Sequence, residues 1–137
     1  VPAGPAVQLV PAAPAQALER ADDVVDGLLE AGRSPGDILV LTVGGPHPWQ
    51  LHELSFGEGA YWAQLGEGGD VFYADADTTR PVRREVVVLV VNDTRPARIE
   101  QAARKALGHA AALLVVCGDT AAAAPALPEP SDRPVPA

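Results

Sequence analysis

Between Glu85 and Asn92 the chain reads Val86, Val87, Val88, Leu89, Val90, Val91 without a polar interruption. This run constrains the fold more than any other segment. Six apolar, mostly β-branched residues offer no face to water, so the stretch is comfortable only as a strand covered on both sides. It predicts the centre of a sheet, or the place next to it. Ile38, Leu39, Val40 and Leu41, within residues 37–43 and after a Ser-Pro-Gly turn, read as a second buried strand. Leu113, Leu114, Val115, Val116 and Cys117 read as the last. Buried strands separated by long connections imply a mostly parallel sheet, because parallel neighbours need crossovers of a dozen or more residues.

The connections supply the helices. Over residues 16–31, Leu18, Ala21, Val24, Val25, Leu28 and Leu29 recur every three or four positions, with Glu19, Asp22, Asp26 and Glu30 opposite. That spacing predicts an amphipathic helix, with Gly32 as its stop. A second helix is expected after Asp93 or Thr94 as cap, with Pro96 in its first turn and Ile99, Ala102, Ala103, Ala106 and Leu107 as its apolar stripe. Residues 48–56 carry a weaker helical pattern, ended by Gly57 and Gly59. Residues 60–65 and 71–74 flank Gly66, Gly68 and Gly69 and are expected to be strands in a hairpin-like region. The sum is an α/β fold, a three-layer α-β-α sandwich with helices on both faces of the sheet.

Length and proline set the boundaries. A chain of 137 residues suits one domain. Pro2, Pro5, Pro11 and Pro14 punctuate the beginning, and Pro125, Pro128, Pro130, Pro134 and Pro136 the end. Such density opposes hydrogen-bonded structure, so residues 1–14 are expected to be a disordered linker, with 7–10 as an edge strand. Residues 15–119 form the domain, and 120–137 a disordered tail. With aromatics at 4%, the core must be built from small side chains.

Charge and cysteine usage narrow the classes of function. Ten basic against eighteen acidic residues leave a formal charge of −8, which repels phosphate backbones, so nucleic-acid binding is not expected of this domain alone. Cys117 is the single cysteine, which excludes an intrachain disulfide and favours a reducing compartment. No apolar run approaches the roughly 20 residues that cross a bilayer, and the N-terminus lacks a signal-peptide layout. The expectation is a cytoplasmic protein without membrane contact. The absence of Met leads us to expect a piece of a longer protein.

Three stretches carry a family resemblance. Residues 24–42, VVDGLLEAGRSPGDILVLT, give a helix, a Gly-containing turn, a Pro-Asp-like pair and an opening strand. Residues 70–92, DVFYADADTTRPVRREVVVLVVN, give a Thr-containing approach to a hydrophobic strand. Residues 98–119, RIEQAARKALGHAAALLVVCGD, give a helix and a strand ending in Gly-Asp. Together they resemble the C-terminal RecA-like domain of UvrD/Rep-type (superfamily 1) DNA helicases, which implies a RecA-like, P-loop NTPase-related sheet.

The same resemblance marks what is missing. Pro81-Val82-Arg83 falls on the family's Gly-Leu-Glu, so Arg83 replaces the carboxylate that contacts the ribose. His109 falls on the arginine of Thr/Ser-Arg-Ala-Arg that approaches the γ-phosphate. A mostly neutral imidazole lacks the permanent charge and forked donors that make such arginines effective. Thr78 is the position that matches the family's polar, nucleic-acid-facing site. The family's phosphate-gripping loop belongs to its first RecA-like domain. Gly44-Gly45-Pro46 is the nearest imitation here, and it lacks the Lys and the hydroxyl. The resemblance therefore implies a catalytically degenerate domain, a scaffold or docking module in a larger bacterial protein. Its partners would be other proteins or other domains of that chain. No catalytic residue, and no cofactor for the isolated domain, is expected. The alternative is a functional second half that binds ATP and Mg only with its missing first domain, with Arg83 or Arg104 supplying the arginine. A third is an α/β binding domain unrelated to helicases, sharing only the grammar of parallel sheets.

The remaining polar residues suggest no further chemistry. His47 and His52 are too few for a zinc site and read as a solvated pair. His109, as a general base, competes with a plain helix-end residue. Asp75 and Asp77 alternate along an extended segment and read as solvated acids. Arg80, Arg83 and Arg84 form the one local basic cluster, a candidate anion patch whose alternative is ion pairing with surface acids. Trp49 and Trp62 read as packing residues, unless they stand exposed together as a partner surface.

Overall fold

The computed structural model describes residues 5–78 and 82–128. Five strands form one wholly parallel sheet in the order β1-β5-β4-β2-β3, with β1 at Ala6–Pro11, β2 at Ile38–Thr42, β3 at Phe72–Asp75, β4 at Arg84–Val91 and β5 at Ala110–Gly118. The valine run is thus the middle strand. In register, Leu89 sits beside Leu41 on one side and Val116 on the other.

The two-residue period of a strand splits that run between two cores. Val87, Leu89 and Val91 join Leu39, Leu41, Leu114 and Val116 beneath α4, Pro96–His109, whose Ile99, Ala102, Ala103 and Ala106 face them. Val86, Val88 and Val90 join Ile38, Val40, Leu113, Val115 and Cys117 beneath α1, Ala17–Glu30, through Ala17, Ala21, Val25 and Leu28. Each fully buried Val or Leu contributes about 1.5–3 kcal/mol, so the sheet faces dominate the stability. Alanines on the inward stripes of both helices let their backbones lie close to the strands. The α/β class, the parallel sheet and the helices on both faces are as the sequence predicted, consistent with RecA-like layering.

α1 ends as its glycine predicts. Gly32 has φ +100°, the Arg33 N–H donates to the Leu28 carbonyl, and the Gly32 N–H donates to the Leu29 carbonyl. This double bond is the Schellman closure, which needs a left-handed residue. β1 joins the sheet edge beside β5, with Val7 opposite Leu114. Its backbone is paired although prolines surround it.

Three expectations are corrected. Residues 60–65 are not a strand but lie in α3, Glu58–Glu67, after the shorter α2, Pro48–Leu54. Tyr61, Trp62 and Leu65 share a helical face and pack toward the sheet, where Tyr61 and Trp62 meet Phe72. Phe72–Asp75 then pairs in parallel with β2, so there is no hairpin. Neither Asp93 nor Thr94 caps α4. Arg95 occupies the cap, and Asp93 accepts the Arg95 N–H two residues on. Finally, residues 120–126, assigned to the tail, continue as a helical turn, α5 at Thr120–Ala123, and a 3-10 turn, Ala124–Ala126. Asp119 accepts the Ala122 N–H, and Ala123 is buried against the α4 side of the sheet. A single cap and one buried methyl outweigh the proline that follows.

Cys117 is fully buried, and burial pushes its thiol up to about 12. The thiolate is the reactive form. The folded protein should therefore resist a thiol-directed reagent at mildly alkaline pH and react stoichiometrically once urea unfolds it. Rapid labelling of the native chain would show that the α1 core opens.

Candidate functional site

Parallel sheets have two unlike poles, and the polar residues divide between them. At the N-terminal pole of β4 and β5, His109 closes α4 and its Nδ1–H donates to the Val82 carbonyl at 2.6 Å. A carbonyl only accepts, so the proton sits on Nδ1 and Nε2 is left as the acceptor. Arg83 is exposed beside Val82. His109 is therefore tied to the residue that precedes Arg83. Thr78 stands apart from them, lining a cleft that begins at the end of β3.

The predicted basic cluster does not assemble. Arg84 is buried, and its guanidinium donates to the Ile38 carbonyl at 2.9 Å, the Asp70 carbonyl at 2.7 Å and the Leu65 carbonyl at 3.5 Å, lying over the Phe72 ring. It straps β4 to the start of β2 and to the α3–β3 connection. Desolvation lowers its pKa, partly opposed by Asp37 and Asp70. Its donors are spent on main-chain oxygens, so it is not an anion ligand. Arg80 lies outside the described residues.

Histidine 47 is not solvated. It is 2% exposed and stacks on Tyr73 at 4.4 Å. Its Nδ1 accepts the Trp49 N–H at 3.0 Å, so Nε2 carries the proton and donates to Asp22 Oδ1 at 2.8 Å. Both ring nitrogens are committed to capping α2 and tying it to α1. His52 is exposed and sits edge-on to Trp49 and Phe56. Among the described residues no group of three His, Cys, Asp or Glu side chains is placed to hold a metal. Trp49 is 54% exposed while Trp62 is half-buried, so the tryptophans do not form one exposed pair.

At the opposite pole, Asn92 bridges the loop after β2. Its Oδ1 accepts the Gly44 N–H at 2.7 Å and its Nδ2 donates to the Gly45 carbonyl at 3.0 Å. Of the two glycine amides in this loop, that of Gly44 is already bonded. Asp93 accepts from the Arg95 N–H and guanidinium, and these bonds hold its carboxyl well below the usual carboxylate range. Arg98 reaches the Val43 carbonyl at 3.3 Å.

Two clefts open beside this pole and meet at Asp77. The first, about 110 Å³, lies between α4 and the chain after β3, with Arg98, Gln101 and Lys105 on one wall and Ala76 and Asp77 on the other. Lys105 Nζ donates to the Asp77 carbonyl at 3.4 Å. The second, about 170 Å³, lies between the helix pair α2–α3 and the same chain, and includes Gln50, Glu58, Tyr61, Trp62, Asp75 and Asp77. The Tyr61 hydroxyl donates to the Tyr73 carbonyl. Its pKa is raised, mainly by burial and then by Asp75. Gln50 and Glu58 carried no signal in sequence. The acids that share their cleft, Asp75 and Asp77, lie at the end of β3 and just beyond it.

Comparison with models of known protein families finds no match, and comparison with curated proteins finds no relative.

Two substitutions test this geometry. Arg84→Ala leaves the Ile38 and Asp70 carbonyls without their donor, and should cost about 1–3 kcal/mol in urea unfolding. An unchanged midpoint would mean that the strap is idle. Asp93 is depressed in the folded state, so its contribution is present above the ordinary carboxylate pKa of about 4 and fades as pH falls below it. Asp93→Asn should therefore be less stable than wild type near neutrality, with the difference shrinking steadily under acid. A difference that widened in acid would reverse the assignment.

Proposed function

We propose that this chain is a helicase C-terminal-like domain of the UvrD/Rep type whose nucleotide chemistry has been lost, and that it serves as a scaffold or docking module within a larger cytoplasmic, bacterial protein. One observation carries the reading. His109 is bonded to the carbonyl of Val82, the residue before Arg83, and Arg83 and His109 are the two positions that the resemblance matches to the family's ribose and γ-phosphate contacts. Neither has the side chain that the chemistry needs. A carboxylate accepts the ribose hydroxyls and Arg83 cannot. A fixed guanidinium stabilises phosphoryl charge, whereas His109 uses its Nδ1 proton on a main-chain carbonyl.

The alternative, a working second half of an ATP-dependent helicase, gains little support from Arg104, which is exposed on α4 and paired with Glu100 at 2.6 Å. A fold kept intact while its polar contacts drift is better suited to holding neighbours together. Among the described residues no helix is long and apolar enough to span a membrane.

Calorimetric titration of the chain with ATP and with a nonhydrolysable analogue, each with Mg, should give no saturable heat in the micromolar range. Micromolar binding would overturn the degenerate reading. DNA-stimulated hydrolysis on adding a first RecA-like domain, lost in Arg83→Ala or Arg104→Ala, would establish the alternative.

A further inference from the structure

Three large hydrophobic side chains stand exposed among the described residues, and all belong to α2 or the turn after it: Trp49 at 54%, Leu51 at 56% and Phe56 at 66%. Apolar residues scattered singly over a surface need no explanation, but their gathering on one short helix marks a contact surface. Trp49, His52 and Phe56 recur at three- and four-residue spacing as a ridge, with His52 edge-on to Trp49 at 5.5 Å and to Phe56 at 5.3 Å. Rings that brace one another lose little freedom when covered. The ridge is also fixed to the domain, by His47 on Asp22 of α1 and by Glu53, which accepts from the Gln64 amide of α3 at 2.6 Å.

Charge narrows what can cover it. The chain carries −8, and α1 alone shows Glu19, Asp22, Asp23, Asp26 and Glu30 against a single arginine, so two copies that met there would repel. Between Asp37 and Glu58, by contrast, Glu53 is the sole acid and there is no Lys or Arg. Such a surface offers nothing to a strongly charged partner, yet it lets two acidic molecules meet. Its spacing is self-complementary as well. Trp49 lies three residues before His52 and Phe56 four after, so a twofold axis near His52 sets Trp49 of each copy against Phe56 of the other. The four rings offer on the order of 500 Å², and Leu51 and Pro48 add to it, which places the contact in the weak, transient class.

We propose that the α2 ridge is a self-association surface, covered by the same ridge of a second copy of this chain. The proposal uses neither Arg83 nor His109, so it stands or falls apart from the helicase-like reading.

Sedimentation equilibrium of the full chain from about 10 µM to about 1 mM should show monomer passing into dimer. The dimer should tighten as salt rises from about 50 mM to about 500 mM, because screening removes the repulsion between acidic copies and leaves the apolar contact. Trp49→Ala and Phe56→Ala should each weaken it about tenfold without lowering the thermal midpoint, since both side chains are exposed. His52→Arg, which puts like charges at the axis, should abolish it, and Gln101→Ala, exposed on α4, should leave it unchanged. In Trp62→Phe, where the contact itself is unaltered, Trp49 emission should shift to the red on dilution. The proposal is overturned by a monomer at every concentration, by a dimer that weakens with salt, or by one indifferent to the ridge variants. It is also overturned by a concentration-independent Trp49 emission that changes when residues 129–137 are removed, which would give the ridge to the chain's own tail.

Discussion

Because β4 presents Val86, Val88 and Val90 to α1 and Val87, Leu89 and Val91 to α4, neither core can form without it, and each helix finds its place by covering one side of the same strand. The other strands follow from this two-sided burial. β2 and β5 flank β4 because each is itself apolar on both faces, whereas β1 and β3, with more exposed positions, stand at the edges. A sheet of this kind has no wet face, so polar groups are driven to the strand ends and the loops. Any site must therefore lie at one of the poles or in a cleft beside them.

At those ends the polar residues mostly serve the backbone. Arg84 gathers carbonyls from three segments, Asn92 closes the loop after β2, and His47 joins α2 to Asp22 of α1. Each spans a long stretch of sequence, and each satisfies main-chain or charged groups that would be expensive to bury alone. The consequence for function is direct. The Arg84 guanidinium is spent on main-chain carbonyls, and the Gly44 amide after β2 is bonded to a side chain. What remains open is the cleft lined by Glu58, Asp75 and Asp77 and, across Asp77, the smaller one lined by Arg98 and Lys105.

Much of the fold was legible in residues, and the reasons are local. The valine run, the helix ending at Gly32 and the alanine stripe of α4 each fix their own secondary structure by period and stop signal. The region from Gly57 to Gly69 was not legible, because its glycines suggested turns where two of them only bound a helix, whereas the strand expected at 71–74 is found at Phe72–Asp75. Only burial of Tyr61 against Phe72 decides between strand and helix there. Of the residues singled out in sequence, His109 bonds to the Val82 carbonyl, Arg83 is exposed, Thr78 lines a cleft beyond β3, and Arg84 and His47 prove internal. Gln50 and Glu58 attracted no notice, since an isolated Gln or Glu on a short helix looks like solvated surface until the opposing strand is in place.

By itself the sequence determined the parallel sheet, its middle strand and the two covering helices, since unbroken apolar runs and helical stripes have few ways to escape water. The tertiary structure alone decided which polar residues face each other. Those encounters depend on strand order and on crossovers tens of residues long, and contacts such as Asp22 with His47 or Asn92 with Gly44 leave no trace in local spacing.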